Sequence, residues 1–498
     1  MKTMTTATPP MKLDNAALGR LPPAVRGPAY DRRTTTEGIL HIGVGGFHRA
    51  HQAVYVDDAI AATGDGRWAI CGVGLLAHDS RMRDALVPQD CLYAMIERGP
   101  GADPQARVVG SLTGFLFAPG NAEAVLEKMA SADTHIVSLT ITEGGYYLDP
   151  KTGGPRLDHP DIVRDLQAPT QPSTAFGYLA EALDRRRRQG LKPFTVLSCD
   201  NVQGNGDVTR RLLLAVAGHR DAQLRDWIAQ NGAFPNSMVD RITPATTDAD
   251  REAVRDTFGI DDAWPVVTEP FRQWVVEDRF CDGRPPWDGV GVQMTADVRP
   301  YEMMKIRLLN ASHSAMGYLG LLSGFAHIHE IMADPLFRRF VIEFMNEEVT
   351  PILEEVPGID LGAYKAALVD RFSNPAIKDQ VLRICMDGSS KIPKFVLPTL
   401  SEQLSRGGPT KRLSLVIASW CRAMAGTDDQ GAPIAVADPM AAQLSERARA
   451  SGRDPRAFLA VREVFGEDLP QSAVFVDQVR DALESLHDLG ARKTLAKY

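Results

Sequence analysis

The chain has 498 residues, 44% of them hydrophobic and 24% charged, and a formal net charge of −8. That length exceeds what one ordinary core supports, so two or three domains are expected. The acidic balance argues against nucleic acid as the main partner, because phosphate binding needs clustered positive charge. No apolar run approaches the roughly 18 residues of a membrane helix, and residues 1–12 lack the apolar core of a secretory leader. Six scattered cysteines without a CxxC pair fit reduced thiols in a cytoplasmic protein.

In chain order, residues 1–36 are rich in Pro, Thr and Arg and are expected to wrap the surface. A short apolar strand over 38–42 leads into Gly43-Val44-Gly45-Gly46-Phe47-His48, and a long amphipathic helix is expected over 49–62. Strand, glycine turn and helix in that order is the setting of a dinucleotide-binding fingerprint. Gly43 would make the tight turn, and Gly45 would let backbone approach a pyrophosphate held at the helix N-terminus. The match is imperfect, since His48 stands where the third glycine belongs. A second strand over 68–76 ends just before Asp79, a carboxylate suited to ribose hydroxyls and hence to NAD over NADP. Asp79 lies later than the usual spacing of about 20 residues, and Arg81 and Arg83 nearby offer a competing site for a 2′-phosphate.

Further strands are expected over 107–110, 135–142 and 194–199, alternating with helices over 122–129 and 175–189. Such alternation implies an α/β, Rossmann-type, mostly parallel sheet whose ligands bind at the carboxyl ends of the strands. Two polar clusters fall there, one beginning at Glu143 and one running from Asp200 through Asn201 to Gly206. Asn201 could donate to a substrate oxygen, and Glu143 could bind a hydroxyl or exchange protons. Both also suit plain turns and caps, which is the preferred reading for Asn205 and Gly206. The four arginines at 185–188 read as a solvated helix end favoured by the macrodipole. Asp240 beside Arg241 reads as either a salt bridge or a polyol contact.

Beyond Pro300 helical periodicity dominates, over 315–322, 335–347, 363–372, 378–385, 413–423, 440–448, 454–465 and 473–489. A boundary near 300 therefore divides a dinucleotide-binding domain, 1–300, from a mainly α-helical C-terminal domain, 301–498. Residues 301–316 lack Gly and internal Pro and read as one α-helix. At about 100° per residue, with Glu302 at zero, His313 falls near 20°, Asn310 near 80° and Lys305 near −60°. An amine, a carboxamide, an imidazole and a carboxylate thus share one side. A Lys of lowered pKa can take a hydroxyl proton while an Asn amide donates to the developing oxyanion. The competing reading is a half-exposed helix carrying a Glu-Lys pair. Arg383 and the segment 387–393, containing Lys391, read as a cationic Gly/Ser turn able to hold substrate hydroxyls, or as a surface turn. The His48/His51 and His327/His329 pairs come without HExxH or a Cys/His cluster, so no metal site is expected.

Together, several segments resemble the mannitol dehydrogenase family, the long-chain, metal-independent polyol dehydrogenases. They are the stretch from His41 to Gln52, Thr142-Glu143-Gly144-Gly145-Tyr146-Tyr147, Ser198-Cys199-Asp200-Asn201, Asp240-Arg241-Ile242-Thr243-Pro244, the Lys-x4-Asn-x2-His set of Lys305, Asn310 and His313, and Gly388-Ser389-Ser390-Lys391. The resemblance implies an NAD-dependent oxidoreductase interconverting a polyol and its ketose, with mannitol and fructose expected first and arabinitol, sorbitol or a hexuronate such as fructuronate as alternatives. It implies Lys305 as general base, Asn201 and Asn310 as the oxyanion hole, His313 orienting substrate and Glu302 assisting proton exchange. Asp240, Arg383 and Lys391 would contact substrate hydroxyls, and Gly43, Gly45, Gly46, Phe47, Asp79 and Glu143 would line the cofactor. A small-molecule substrate, no nucleic acid, no membrane and a monomer are expected. A nucleotide-binding sensor without turnover would have lost the base or the oxyanion donors, and all three residues are present.

Overall fold

A computed structural model describes residues 9–149 and 152–498; the first eight residues of the expected surface wrap lie outside this range. The chain forms two compact units, Met1–Val298 and Arg299–Tyr498.

The first unit is built on five parallel strands in the spatial order Leu112–Phe117, Ile70–Gly74, Ile39–Ile42, Ile136–Leu139, Thr195–Ser198. The three middle strands and Thr195–Ser198 are buried along their whole length. Burial on both faces is why they read as continuous apolar runs without alternation. The first strand in sequence lies at the centre. The chain fills one side of it, then crosses to the other, so the order reverses beside Ile39–Ile42, where such sheets open a crevice. Because all five strands are parallel, Gly43, the 75–79 turn, Thr140 to Glu143 and Asp200–Asn201 gather at one edge.

Three smaller sheets complete the unit. Tyr93–Glu97 pairs antiparallel with Gln105–Val109 between Val266–Thr268 and Val25–Arg26. Ser237–Asp240 pairs antiparallel with Gln273–Glu277, which pairs with Gln293–Thr295. Met11–Lys12 pairs with Ile260–Asp261. The expected strand at 107–110 therefore belongs to a separate mixed sheet. The expected helix over 49–62 is two, Gly46–Ala50 and Gln52–Thr63, with His51 at φ −122°, ψ −86° between them. Eight of the twelve residues of Gln52–Thr63 are buried, so little amphipathic stripe remains to be seen.

The second unit is helical, with no strand among its described residues. Lys411–Met424 is buried over eleven of its fourteen residues and packs against Ala473–Leu489 and Ala311–Leu322. Asp334 caps Pro335–Glu343 by accepting from Leu336 N at 2.9 Å, with Pro at the first helical position where its missing N–H costs nothing. Three expectations need correcting. The run 454–465 is two short helices, Arg456–Leu459 and Arg462–Phe465. The 387–393 segment is no turn but the start of helix Gly388–Phe395, which Pro393 ends within a turn by withholding a backbone donor. The stretch 301–316 is not one α-helix: Arg299–Met304 is α-helical, Lys305–Asn310 is π-helical and Ala311–Leu322 is α-helical again. Among the described residues, no helix is long and apolar enough to cross a membrane.

Candidate active site

In the first unit the glycine turn is built for close approach. Gly43 has φ +96°, and a Cβ there would stand 2.1 Å from Thr140 O, so only glycine fits. Gly45 caps the following helix in an extended conformation, and a Cβ on it would meet nothing nearer than Gly43 O at 3.9 Å. Space is therefore open over the Gly45 backbone. At Gly46, too, a Cβ would make only ordinary contacts, with Thr243 and Val266. Phe47 stacks on His51 with centroids 5.0 Å apart.

The helix approaches the strand by other means than a third glycine. His48 lies on His41, centroids 3.4 Å apart and planes 8° from parallel. Thr140 Oγ1 donates to Gly43 O at 2.6 Å, so it accepts from His41 Nε2 at 2.9 Å, which leaves His41 Nδ1 to accept from Ser138 Oγ at 2.8 Å. That chain assigns the proton to Nε2. Burial pushes the His41 imidazole down to about 3, so the ring stays neutral.

At the same edge a buried polar network joins three strands. Asp200 accepts from Thr142 N at 2.8 Å on one carboxylate oxygen, and from Ile141 N at 3.1 Å and the Tyr146 hydroxyl at 2.7 Å on the other. Asn205 Nδ2 donates to Asp200 O and Ser237 O, and Ser237 N donates back to Asn205 Oδ1. Thr142 sits at φ +59°, unusual for a β-branched residue, and its N–H is one of those Asp200 holds. The exposed Glu143 and Asn201 follow directly from Thr142 and Asp200. Asn205 is thus a buried tie at the start of helix Asn205–Arg220, more than a turn residue. Asp200 and Tyr146 went unsingled in the sequence; the available signal was a carboxylate closing a buried strand with no basic neighbour.

The two readings of Asp240-Arg241 resolve for the arginine. Arg241 is fully buried, donates to Ala50 O at 2.6 Å and Glu269 O at 3.0 Å, and pairs with Glu97, so it fastens the end of the fingerprint helix to two other elements. Asp240 is buried at the end of its strand. Asp79 lies in the turn after Ile70–Gly74 and accepts from Leu76 N at 2.8 Å, which fixes its carboxylate at the strand end.

In the second unit Glu302 and Lys305 are buried, while Asn310 and His313 are partly exposed. The His313 ring lies against Phe372, centroids 4.8 Å apart. The angles expected for a regular α-helix do not hold from Lys305 onward, because each residue of a π-turn advances less. Arg383 is exposed and paired with Asp379 through Nε at 2.9 Å and Nη2 at 2.6 Å. Lys391, on helix Gly388–Phe395, reaches Ile384 O at 3.2 Å. His51 has both nitrogens engaged, by Gln273 O and Gln52 Nε2.

Residues 37–289 match the mannitol dehydrogenase Rossmann domain, and residues 297–487 match the mannitol dehydrogenase C-terminal domain. The chain is 50% identical over 499 aligned residues to mannitol 2-dehydrogenase of Aspergillus fumigatus, covering 98% of this chain and 99% of that protein. It is similar to a Pseudomonas fluorescens mannitol 2-dehydrogenase solved as a ternary complex with NAD and D-mannitol, at 48% identity and a TM-score of 0.89 over 98% of this chain and 99% of that one. A D-sorbitol dehydrogenase in substrate-free form matches at 37% identity and a TM-score of 0.90, over 97% of this chain and 100% of that one. With both domain matches in order and identity of this level along almost its whole length, the chain belongs to the mannitol dehydrogenase family.

Proposed function

We propose that the protein is a metal-independent NAD-dependent polyol dehydrogenase that interconverts D-mannitol and D-fructose. The observation that carries this is the 50% identity to a mannitol 2-dehydrogenase across nearly both full lengths, in a chain whose sequence carries Lys305, Asn310, His313 and Asn201.

The first unit fits a dinucleotide. The open backbone at Gly45, the left-handed Gly43 and the helix start at Gly46 suit a pyrophosphate, with Phe47 and Glu143 beside the same edge. Asp79, fixed by Leu76 N, suits ribose hydroxyls and supports NAD over NADP. NAD, when bound, supplies the acceptor for the hydride leaving the carbinol carbon.

In the oxidation, Lys305 in its neutral form takes the proton from the hydroxyl on that carbon. Asn310 and Asn201 each donate a carboxamide N–H to the oxygen as charge builds on it and the C=O bond forms. His313 orients the same oxygen, and Glu302 passes the proton from Lys305 toward solvent. Asp240 and Lys391 bind outlying hydroxyls, and Arg383 serves in this role on exchanging its Asp379 partner for substrate. In the reverse direction Lys305 returns the proton to the ketose oxygen. The protein works as a monomer in the cytoplasm, a placement supported by six free cysteines.

The test follows NADH absorbance with purified enzyme and mannitol, sorbitol, arabinitol, fructose and fructuronate, with and without a chelator. Chelator-resistant turnover on mannitol and fructose, lost by orders of magnitude in Lys305→Ala with NADH binding retained, is the expected result. A preference for another pair overturns the substrate, and full activity of Lys305→Ala overturns the base.

A further inference from the structure

The spacing between Lys305 and Asn310 is five residues. Five steps of α-helix turn through about 500°, which leaves such residues some 140° apart, at the two margins of the side they share. In a π-turn the backbone bond runs from i to i+5 instead, so residues five apart stack one above the other. The structure has that turn over Lys305–Asn310 and nowhere else in this helix, and the next residue, Ala311, donates its N–H to Ile306 O five positions back. The π-turn therefore brings close together an amine and a carboxamide that a regular helix would leave at the two margins of that side.

π-turns are rare because their backbone packing is poorer, and one that persists needs holding from outside. One side chain within the turn that reaches out is Arg307, only 12% exposed. Its Nη2 pairs with Glu402 Oε2 at 2.8 Å, on helix Leu397–Arg406, and its Nη1 donates to Ile352 O at 3.2 Å, in the short helical turn Thr350–Ile352. Glu402 is itself fixed through its other oxygen by Arg406 at 2.6 Å. The planar fork of an arginine suits such a two-armed tie, and a lysine reproduces only its charge.

We infer that Arg307 is a positioning residue: by tying the π-turn Lys305–Asn310 to Glu402 and the Ile352 carbonyl, it holds the amine of Lys305 and the carboxamide of Asn310 in catalytic register. The inference rests on the proposed roles of Lys305 and Asn310.

The experiment compares Arg307→Met, Arg307→Lys and Glu402→Gln with wild type and Lys305→Ala, reading kcat and KM for mannitol, the NADH dissociation constant by fluorescence, and the thermal midpoint. Misplacing a reacting group by about 1 Å can cost on the order of a hundredfold, so Arg307→Met is expected to lose at least about tenfold in kcat. Its KM and NADH affinity should stay within about threefold, because the turn's alignment and not the binding surface is altered. Arg307→Lys, keeping one arm, should recover part of that kcat. A folded Arg307→Met with wild-type kcat overturns the inference. If Arg307→Met does not fold, Glu402→Gln decides in its place: a selective fall in kcat supports the tie, and unchanged kcat overturns it. Retention of activity by Lys305→Ala would instead overturn the proposed base, so the two failures are distinguishable.

Discussion

The imidazoles of His41 and His48 lie face to face 3.4 Å apart, one on the central strand and one on the first helix, and burial disfavours the charged form of both. Burial pushes His41 and His51 down to about 3, and His48 well below its ordinary value. The sign follows from linkage. Between about pH 6.5, where the unfolded imidazoles titrate, and the depressed folded values, the unfolded chain binds more protons. Stability is therefore complete above pH 6.5 and lost as pH falls. Each such group contributes a slope of about 1.4 kcal/mol per pH unit. Urea unfolding is expected to show a steep loss between pH 6.5 and 5, with up to three protons taken up. His48→Phe, which keeps a stacking ring, should remove about a third of the slope; an unchanged slope would show that His48 is protonated in the native state.

The two fingerprint glycines should separate stability from binding. Gly43→Ala forces a Cβ against Thr140 O at φ +96°, where a left-handed backbone alone costs about 1–2 kcal/mol and the clash adds to it. A lower thermal midpoint or failure to fold is expected. Gly45→Ala places its methyl in open space, so the midpoint should hold while NADH affinity falls by at least about tenfold, the methyl standing where backbone must meet the pyrophosphate. Equal NADH affinity in Gly45→Ala and wild type would remove Gly45 from the cofactor site.

The contrast between the two glycines also shows what the sequence could and could not tell. The strand-turn-helix order around Ile39–Ile42 was legible because it depends on neighbours in sequence. The substitute for the third glycine was not, since His48 finds its partner His41 across the turn only once the strand and helix are assembled. The same holds for Asp200, whose main-chain donors lie 58 and 59 residues away. Periodicity identified several helices of the second unit and missed others, among them Ile328–Ala333 and Leu397–Arg406; it assumes a constant advance per residue. It therefore missed the π-turn at Lys305–Asn310, the one place where that assumption fails within residues 299–322. Gly388-Ser389-Ser390 and Pro393 masked a helix because their local preferences favour turns, while Ser389 is in fact secured by Asp438 from a distant segment.

The cysteines should be inert in the native protein. Cys71, Cys91, Cys199, Cys385 and Cys421 are buried, and burial pushes Cys91 and Cys421 up to about 12. Cys281 is partly exposed, but its thiol is raised as well and lies 3.2 Å from Pro193 O. A thiol reagent monitored by absorbance is expected to label at most one group within minutes under native conditions and all six in guanidinium. Rapid native labelling of two or more would mean that the buried sites open readily.

The Asp200 network gives a ranking. Asp200 offers two carboxylate oxygens to three donors, the N–H groups of Ile141 and Thr142 and the Tyr146 hydroxyl. Asn at this position has one acceptor oxygen and turns an NH2 toward at least one of those donors, leaving a buried group unpaired at a cost of about 1–3 kcal/mol. Thr142, held at φ +59° through its N–H, then loses the bond that offsets its strain, and the neighbouring Glu143 and Asn201 lose their fixed placement. Tyr146→Phe removes one donor and leaves both main-chain bonds in place. Urea unfolding and kcat/KM for mannitol, measured in parallel, should therefore show Asp200→Asn as the more damaging change on both scales, with turnover down at least about tenfold. If Tyr146→Phe proved the worse of the two, the contact of the Tyr146 hydroxyl with Ser198 Oγ at 2.5 Å, and not the carboxylate, would be what holds this edge of the sheet.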